Sequence, residues 1–116
     1  MKSKGNKMNV DAGKTRADFV ISDAEGLSSE KEFVTLCIQT LESQGYSVSY
    51  NDPYKGGDIV RSCGQPSKHM HSVQIEINRA LYLDEVNYSR SKGFSTLQYN
   101  LGVLRQKLAD YVKRKI

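Results

Sequence analysis

The clearest pattern of apolar and polar positions lies in residues 71–78, where the two kinds of side chain alternate one by one. The apolar positions are Val73, Ile75 and Ile77, and the polar positions are Ser72, Gln74, Glu76 and Asn78. A period of two predicts a β-strand with one face in a core and a row of polar groups on the other. Arg79 follows at the strand end, where binding and catalytic groups collect in open α/β sheets. This strand is therefore the first candidate for a functional site.

Earlier in the chain, short apolar runs predict two strands with a helix between them. Residues 17–22 and 46–50 are typical of strands, because Phe, Val, Ile and Tyr favour a pleated surface. Ser29 and Glu32 have the spacing of a capping box, and Gly45 supplies a helix end. The helical spacing between them is carried by Phe33, Leu36, Cys37, Thr40 and Leu41. A helix followed directly by a strand indicates a crossover unit and hence a largely parallel sheet.

The last element is predicted to be an amphipathic helix of about five turns that packs one face on the sheet. Its apolar positions are Phe94, Leu97, Leu101, Leu104, Leu108, Tyr111 and Val112.

Residues 51–57 are predicted to be a loop, since Pro53 lacks a backbone N–H donor and two glycines permit positive φ. Residues 58–62 fit a helical turn or an extended piece equally well. Residues 1–14 have little apolar content and are predicted to be a flexible basic lead-in.

Composition narrows the class of protein. With 116 residues there is room for one core, and the absence of a long apolar run or secretory signal predicts a cytoplasmic chain without a membrane partner. The net charge of +4 comes largely from the two ends. The C-terminal cations suit a helix dipole, and no aromatic residues alternate with them, so we expect no nucleic-acid partner. The same positive charge would favour the binding of a small anionic substrate.

Cys37 and Cys63 are too few for a disulfide framework and are expected to stay reduced.

Four stretches of the sequence, taken together, resemble one protein family. They are RADFVISDAEG (16–26), GYSV (45–48), NDPYKGG (51–57) followed by Gly64, and HSVQIEINRALYLDE (71–85). In this order they resemble the C-terminal part of the N-formylglutamate amidohydrolase family, from about Asp11 onward. The resemblance implies a zinc hydrolase, related in fold to zinc carboxypeptidases and aspartoacylase, that removes formate from N-formyl-L-glutamate in histidine degradation.

The expected fold class is therefore α/β, a partial mixed or mostly parallel sheet flanked by helices, forming the C-terminal portion of a zinc-exopeptidase-like fold over residues 15–116. In that family the metal is held by residues that come before the segment corresponding to Met1, including a His-Ser pair. We therefore expect the zinc ligands upstream of Met1 and none within this chain. On this interpretation the chain is an incomplete fragment without deformylase activity of its own.

The resemblance assigns Glu76 as the catalytic carboxylate, which accepts a proton from water and returns it to the leaving nitrogen. A structural ion pair of Glu76 with Arg79 or another basic residue is the alternative. The two carboxylates of the substrate require cations, because arginine binds a carboxylate through two parallel hydrogen bonds. Arg79 is the first candidate, Arg16 the second and Arg61 the third.

Further substrate contacts are predicted for Gln74, Asn78, Tyr54, Gly56, Gly57 and His71. Gln74 and Asn78 share the face of Glu76. The glycines of the 53–57 loop allow backbone N–H groups to approach an anion, and Tyr54 can donate to a tetrahedral intermediate, although the loop can equally be a plain connection. His69 and His71 are too few for a zinc site, and a regular strand directs His71 and Glu76 to opposite faces.

Two other functions remain open from the sequence. One is a hydrolase of another N-acyl amino acid, since a fold does not determine a substrate. The other is a non-catalytic binding or assembly module. A partial sheet also exposes a strand edge, so we expect possible self-association through that edge.

Overall fold

The computed structural model describes residues 1–5 and 13–115, and its described part is built on a three-stranded sheet. The strands are β1 (Phe19–Ser22), β2 (Val48–Tyr50) and β3 (Gln74–Ile77). The helices are α1 (Lys31–Ser43), α2 (Asp58–Cys63) and α3 (Phe94–Lys115), with short 3₁₀ turns at Pro66–Lys68 and Arg79–Leu81. The segment that the sequence left undecided is thus the helix α2.

The sheet has the order β2-β1-β3, so β1 is central. β1 and β2 are parallel, as the intervening helix α1 requires, whereas β1 and β3 are antiparallel. The mixed sheet is confirmed, but a mostly parallel sheet is wrong for one of its two strand pairs. The physical reason is that the chain between β2 and β3 contains only the six-residue helix α2 and short turns. This segment makes no crossover, so the chain enters β3 from the end at which β2 leaves the sheet.

The core lies between one face of the sheet and the helices α1 and α3. Phe19 and Ile21 point from β1 into this layer and are fully buried. The buried helix residues that meet them are Val34, Cys37, Leu41, Leu97 and Leu104. Leu97, Leu104 and Tyr111 are buried at intervals of seven residues, which confirms the predicted amphipathic face of the last helix.

The start of α1 differs from the prediction. The N-cap residue is Glu30 and no side chain caps the helix there, so the predicted capping box of Ser29 and Glu32 is wrong. The Ser29 hydroxyl instead donates to the buried carboxylate of Asp23 at 3.2 Å, and Glu32 forms an ion pair with Lys115 at 3.2 Å. Both predicted partners are thus engaged by other groups.

Both cysteines are free, in line with the prediction of two thiols. Cys37 lies in the core, and burial raises the pKa of its thiol to about 12. Because the thiolate is the reactive form, Cys37 stays unreactive in the folded chain, whereas Cys63 is exposed at the end of α2.

Within residues 1–5 and 13–115, none of the helices combines the length and the apolar character needed to cross a membrane. Part of the predicted flexible lead-in, residues 6–12, lies outside the described residues. Its described part is tied to the domain, since Lys4 forms a β-bridge with Thr15 and Arg16 N–H donates to the Ser3 carbonyl at 2.8 Å. Mobility of residues 1–14 as a whole therefore stays a prediction.

Candidate functional site

The face of the sheet opposite the helices carries the polar row that the sequence predicted. The strand register places Val20 of β1 beside Glu76 on one side and beside Ser49 on the other. Neighbouring residues of paired strands point to the same face, so Val20 and Ser49 lie on the face of the sheet that carries Glu76. Because Ile75 and Ile77 pack with the core, Glu76 points away from it and remains partly exposed.

Gln74 and Glu76 are adjacent on this face, as their spacing of two residues predicted. The Gln74 amide nitrogen donates to Oε1 of Glu76 at 3.1 Å. This bond orients the carboxylate, and the Glu76 side chain remains partly exposed to solvent. The arrangement suits a group that must accept a proton from an additional molecule.

Charged groups converge at the end of β3. The backbone nitrogen of Met1 lies there, and desolvation lowers its pKa. The nearby charges act on the same nitrogen, with Glu76 and Glu85 raising its pKa and Arg79 and Arg16 lowering it. The first and second arginine candidates, Arg79 and Arg16, and the candidate base Glu76 thus all act on the Met1 nitrogen. Arg61 is not part of this group, because it lies exposed on α2 and lines a separate depression with Ala24.

Residues 1–3 are fixed against β3 and the segment that follows it. The Met1 nitrogen donates to the Ile77 carbonyl at 2.6 Å, and Arg79 N–H donates to the Met1 carbonyl at 2.6 Å. Ser3 donates to Glu85 twice, through its N–H at 2.7 Å and its hydroxyl at 2.6 Å. The hydroxyl bond and the backbone bond from Ser3 lower the pKa of Glu85. No local pattern in the sequence links Glu85 to Ser3.

A cleft of about 280 Å³ opens beside the polar row. It is lined by Lys14, Thr15, Arg16, Ala17, Val20, Ser49, Asp52 and Pro53. The Arg16 guanidinium carbon lies 5.2 Å from the ring centroid of Tyr54, a cation–π contact that limits the orientations of both side chains. Val20 and Ser49 lie on the same face of the sheet as Glu76, so the cleft and the candidate base border the same surface.

Asn78 has a structural part in this site. It is 5% exposed, and its side-chain oxygen accepts from Ala80 N–H at 3.0 Å. Its amide nitrogen donates to the carbonyls of Ala17 at 3.2 Å and Arg16 at 3.4 Å. The side chain thus fixes the segment of Arg16 against the end of β3, while a substrate contact by Asn78 stays a prediction.

Asp23, which sequence reasoning did not single out, joins two loops at the end of β1. Its fully buried carboxylate accepts from Gly26 N–H at 2.8 Å, from the Asn51 amide at 2.9 Å and from the Tyr50 hydroxyl at 2.9 Å. Desolvation, reinforced by the bond to Asp23 and its charge, raises the pKa of Tyr50. In the sequence, this role is indicated by an Asp directly after a buried strand, a position from which its side chain can bond to the backbone of the following loop.

The predicted substrate loop, residues 53–57, is held by these contacts. Ser22 donates through its hydroxyl to the Tyr54 carbonyl at 2.6 Å, and Ala24 N–H donates to the Lys55 carbonyl at 2.8 Å. Gly56 has a φ of +100°, a conformation that favours glycine, and a Cβ there would lie 3.3 Å from Val60. Gly57 is exposed, and a Cβ there would meet no atom within 4 Å. Anion binding by this loop stays a prediction.

The structure places His71 apart from Glu76, on the helix side of the molecule. Its side chain is 3% exposed and stacks on Phe33, with ring centroids 4.9 Å apart. Its Nδ1 accepts from the N–H of Glu30, the N-cap residue of α1, at 3.2 Å. His71 therefore fixes the start of a helix, and its predicted substrate contact stays a prediction.

Replacement of His71 by alanine should lower the free energy of unfolding by roughly 2–4 kcal/mol, because it empties a packed site and leaves the Glu30 N–H without its acceptor. Urea unfolding of the variant measures this change. The matched control is His69→Asn, since His69 is exposed and asparagine tolerates its φ of +56°. Equal stability of the two variants would contradict the structural role of His71.

Within the part of the chain that the structure describes, no group of three His, Cys, Asp or Glu side chains is arranged to hold a metal ion. Near β3, the carboxylate of Glu76 accepts from the Gln74 amide and that of Glu85 accepts from Ser3. The described residues alone therefore do not fit a zinc site.

Comparison with known proteins gives a consistent result. The sequence model of the family described as N-formylglutamate amidohydrolase matches residues 1–83. The chain is 46% identical over 43 residues to the N-formylglutamate deformylase of Pseudomonas aeruginosa, covering 37% of this chain and 16% of that protein. It is 46% identical over 44 residues to the enzyme of the same name from Pseudomonas putida, covering 38% and 16%.

A solved structure is also similar. The crystal structure of N-formylglutamate amidohydrolase from Ralstonia eutropha JMP134 matches with a TM-score of 0.84 and 40% identity. The match covers 90% of this chain and 38% of that chain. The present chain thus spans well under half the length of its relatives.

Proposed function

Because this chain belongs to the N-formylglutamate amidohydrolase family, we propose that it carries the proton-transfer and carboxylate-binding part of a hydrolase acting on N-formyl-L-glutamate. The reaction adds water to the formyl amide and releases formate and L-glutamate. The observation that carries the proposal is that Asn78, which lies between Glu76 and Arg79 in the chain, bonds to the Arg16 carbonyl, so that all three residues lie near the end of β3, on the surface that the cleft borders.

Glu76 is the proposed base. Its carboxylate is oriented by Gln74 and is open enough to meet a water molecule. It takes one proton from the attacking water and passes it to the leaving amide nitrogen, so the carboxylate is restored after each turnover. General acid–base catalysis of this kind contributes roughly 10²–10⁴ in rate.

The arginines are the proposed carboxylate ligands. Each charge-assisted hydrogen bond to a desolvated carboxylate contributes about 1.5–3 kcal/mol. Arg79 lies three residues after Glu76 at the start of a 3₁₀ turn, while Arg16 lines the cleft and contacts the ring of Tyr54. We propose that they bind the substrate's carboxylates, and that the Tyr54 hydroxyl and the backbone of Gly56 and Gly57 contact its reacting end.

The proposed cofactor is zinc, held by residues that precede the equivalent of Met1 in the relatives. The described residues do not complete such a site. The placement of Met1 supports the proposal, because polypeptide leading into Met1 would approach the end of β3 that carries Glu76.

A chimera tests this function. The matched segment of the Ralstonia eutropha amidohydrolase is replaced by the corresponding residues of this chain, and release of formate from N-formyl-L-glutamate is measured. We expect the chimera to be active and the isolated 116-residue chain to be inactive. A folded chimera without activity, or zinc-dependent hydrolysis by the purified isolated chain, would contradict the proposal.

Two alternatives are separated by related measurements. A panel of N-formyl, N-acetyl and longer N-acyl amino acids given to the chimera distinguishes a different acyl substrate. The other alternative is a non-catalytic binding module. Calorimetry of the isolated chain with L-glutamate and with formate tests that role, since binding by a chain whose chimera is inactive would support it.

A further inference from the structure

The outer edge of β3 presents backbone groups that the described sheet does not use. In an antiparallel pair, successive residues point their N–H and C=O groups alternately toward and away from the partner strand. Asn78 N–H donates to the Asp18 carbonyl of the segment leading into β1 at 2.8 Å. The same alternation directs the backbone groups of Glu76 to β1, and those of Ile75 and Ile77 to the outer edge.

Met1 already occupies one position of this edge. Its nitrogen donates to the carbonyl of Ile77, and its carbonyl accepts from the N–H of Arg79. In parallel strands, one residue bonds to the two residues that flank its partner, as Met1 does with Ile77 and Arg79 on either side of Asn78. The edge therefore accepts a strand running in the same direction as β3, with Met1 beside Asn78.

An apolar groove of about 250 Å³ lies next to this edge on the helix side. It is lined by Ile77, Tyr82, Phe94, Leu97, Gln98 and Leu101. In the register that Met1 sets, a residue directly before it would lie beside Ile77 and point toward the helices, hence toward the groove. A residue one step earlier would lie beside Glu76 and share its face.

We infer that the outer edge of β3, together with this groove, binds one further parallel β-strand. The occupant is the polypeptide that, in the relatives, comes directly before the residue aligned with Met1. Two observations support this choice: the bonds of Met1 fix direction and register, and the matched part of this chain covers 38% of the solved relative. This interaction does not depend on the proposed chemistry of Glu76.

A second copy of this chain fits the edge less well. Two identical β3 edges related by a two-fold axis pair in antiparallel fashion. Met1 covers the carbonyl of Ile77, which leaves Ile75 as the main outward-facing residue of a four-residue strand. Self-association through an exposed sheet edge stays a prediction for the isolated chain, and the same experiment measures it.

The experiment uses two probes from the Ralstonia eutropha amidohydrolase. One is the polypeptide that precedes its matched segment, and the other is a synthetic peptide of about ten residues from the end of that polypeptide. Amide hydrogen exchange of Ile75 is followed by NMR, and sedimentation reports the mass. We expect a one-to-one complex in which exchange of the Ile75 amide slows by about tenfold or more.

Two exposed residues of α3 supply a matched pair of variants. Gln98→Arg places a charge at the groove, whereas Tyr99→Arg places it on a part of the helix that does not line the groove. We expect Gln98→Arg to weaken binding by about tenfold and Tyr99→Arg to leave it unchanged. Equal effects of the two variants, absence of Ile75 protection with both probes, or a dimer that neither probe dissociates would overturn the inference.

Discussion

Replacing Glu76 with glutamine in the active chimera should lower kcat for N-formyl-L-glutamate by roughly 10²–10⁴, with a much smaller change in KM. Glutamine keeps the size of the side chain and its hydrogen bond with Gln74, but it cannot take the proton of water. The loss should therefore appear in the chemical step rather than in substrate binding. Steady-state kinetics with N-formyl-L-glutamate measure both constants.

The control is Glu42→Gln, because Glu42 is an exposed carboxylate on α1 and lies outside the polar row. It should leave kcat and KM at the values of the parent chimera. Activity of the Glu76→Gln variant within a factor of three of the parent would remove Glu76 as the base. It would then favour the alternative from the sequence, a structural ion pair with Arg79.

The second large effect concerns stability. Gly64→Ala should reduce the free energy of unfolding by about 3 kcal/mol or more, or leave the chain unfolded at 25 °C. A Cβ at Gly64 would lie 2.3 Å from the carbonyl oxygen of Ser28 and 2.5 Å from its Cα. The φ of −79° at Gly64 suits any residue, so the cost is purely steric. Urea unfolding measures it.

Ser28 cannot easily move away, which is why the clash is severe. The Ser28 hydroxyl donates to the Ser72 carbonyl at 2.7 Å, and the Ser28 carbonyl accepts from Ser72 N–H at 2.9 Å. The Ser28 N–H donates to the backbone carbonyl of Asp23 at 3.1 Å. Any displacement of Ser28 therefore disturbs the approach to β3 and the end of β1 together.

The matched control is Gly102→Ala in α3, where a Cβ would meet no atom within 4 Å. Alanine in an exposed helix interior should stabilise the chain by about 1 kcal/mol. Alkylation of Cys37, which is buried in the folded state, gives an independent measure of unfolding in both variants. A Gly64→Ala variant as stable as the parent would contradict the close approach to Ser28.

Local patterns in the sequence predicted most of the elements of this fold. Apolar repeats of two and of three to four residues are properties of a single strand or helix, so β1, β2, α1 and α3 could be assigned without tertiary information. The boundaries were less accurate: the strand predicted at 71–78 is the four-residue β3. Ser72 lies outside it because its N–H bonds to Ser28 rather than to a strand.

The features that the sequence did not predict depend on distant contacts. The antiparallel direction of β3 follows from the path of the 51–73 segment, which no local periodicity records. The capping box failed because Asp23, six residues earlier, takes the Ser29 hydroxyl. In the site, the row containing Glu76 and Gln74 was predicted by alternation, whereas the proximity of Arg16 and the bond between Ser3 and Glu85 join residues far apart in the chain.

The contacts of Asp23 have a consequence for the dynamics of the site. Segments on both sides of the carboxylate share it, since Gly26 belongs to the connection after β1 and Asn51 to the connection after β2. If one connection opens and displaces the fully buried Asp23 carboxylate, the other connection loses its hydrogen-bond acceptor. The two connections should therefore fluctuate as a single cooperative unit. The glycine-containing segment around Tyr54, which has no core of its own, thereby acquires the rigidity of the central strand.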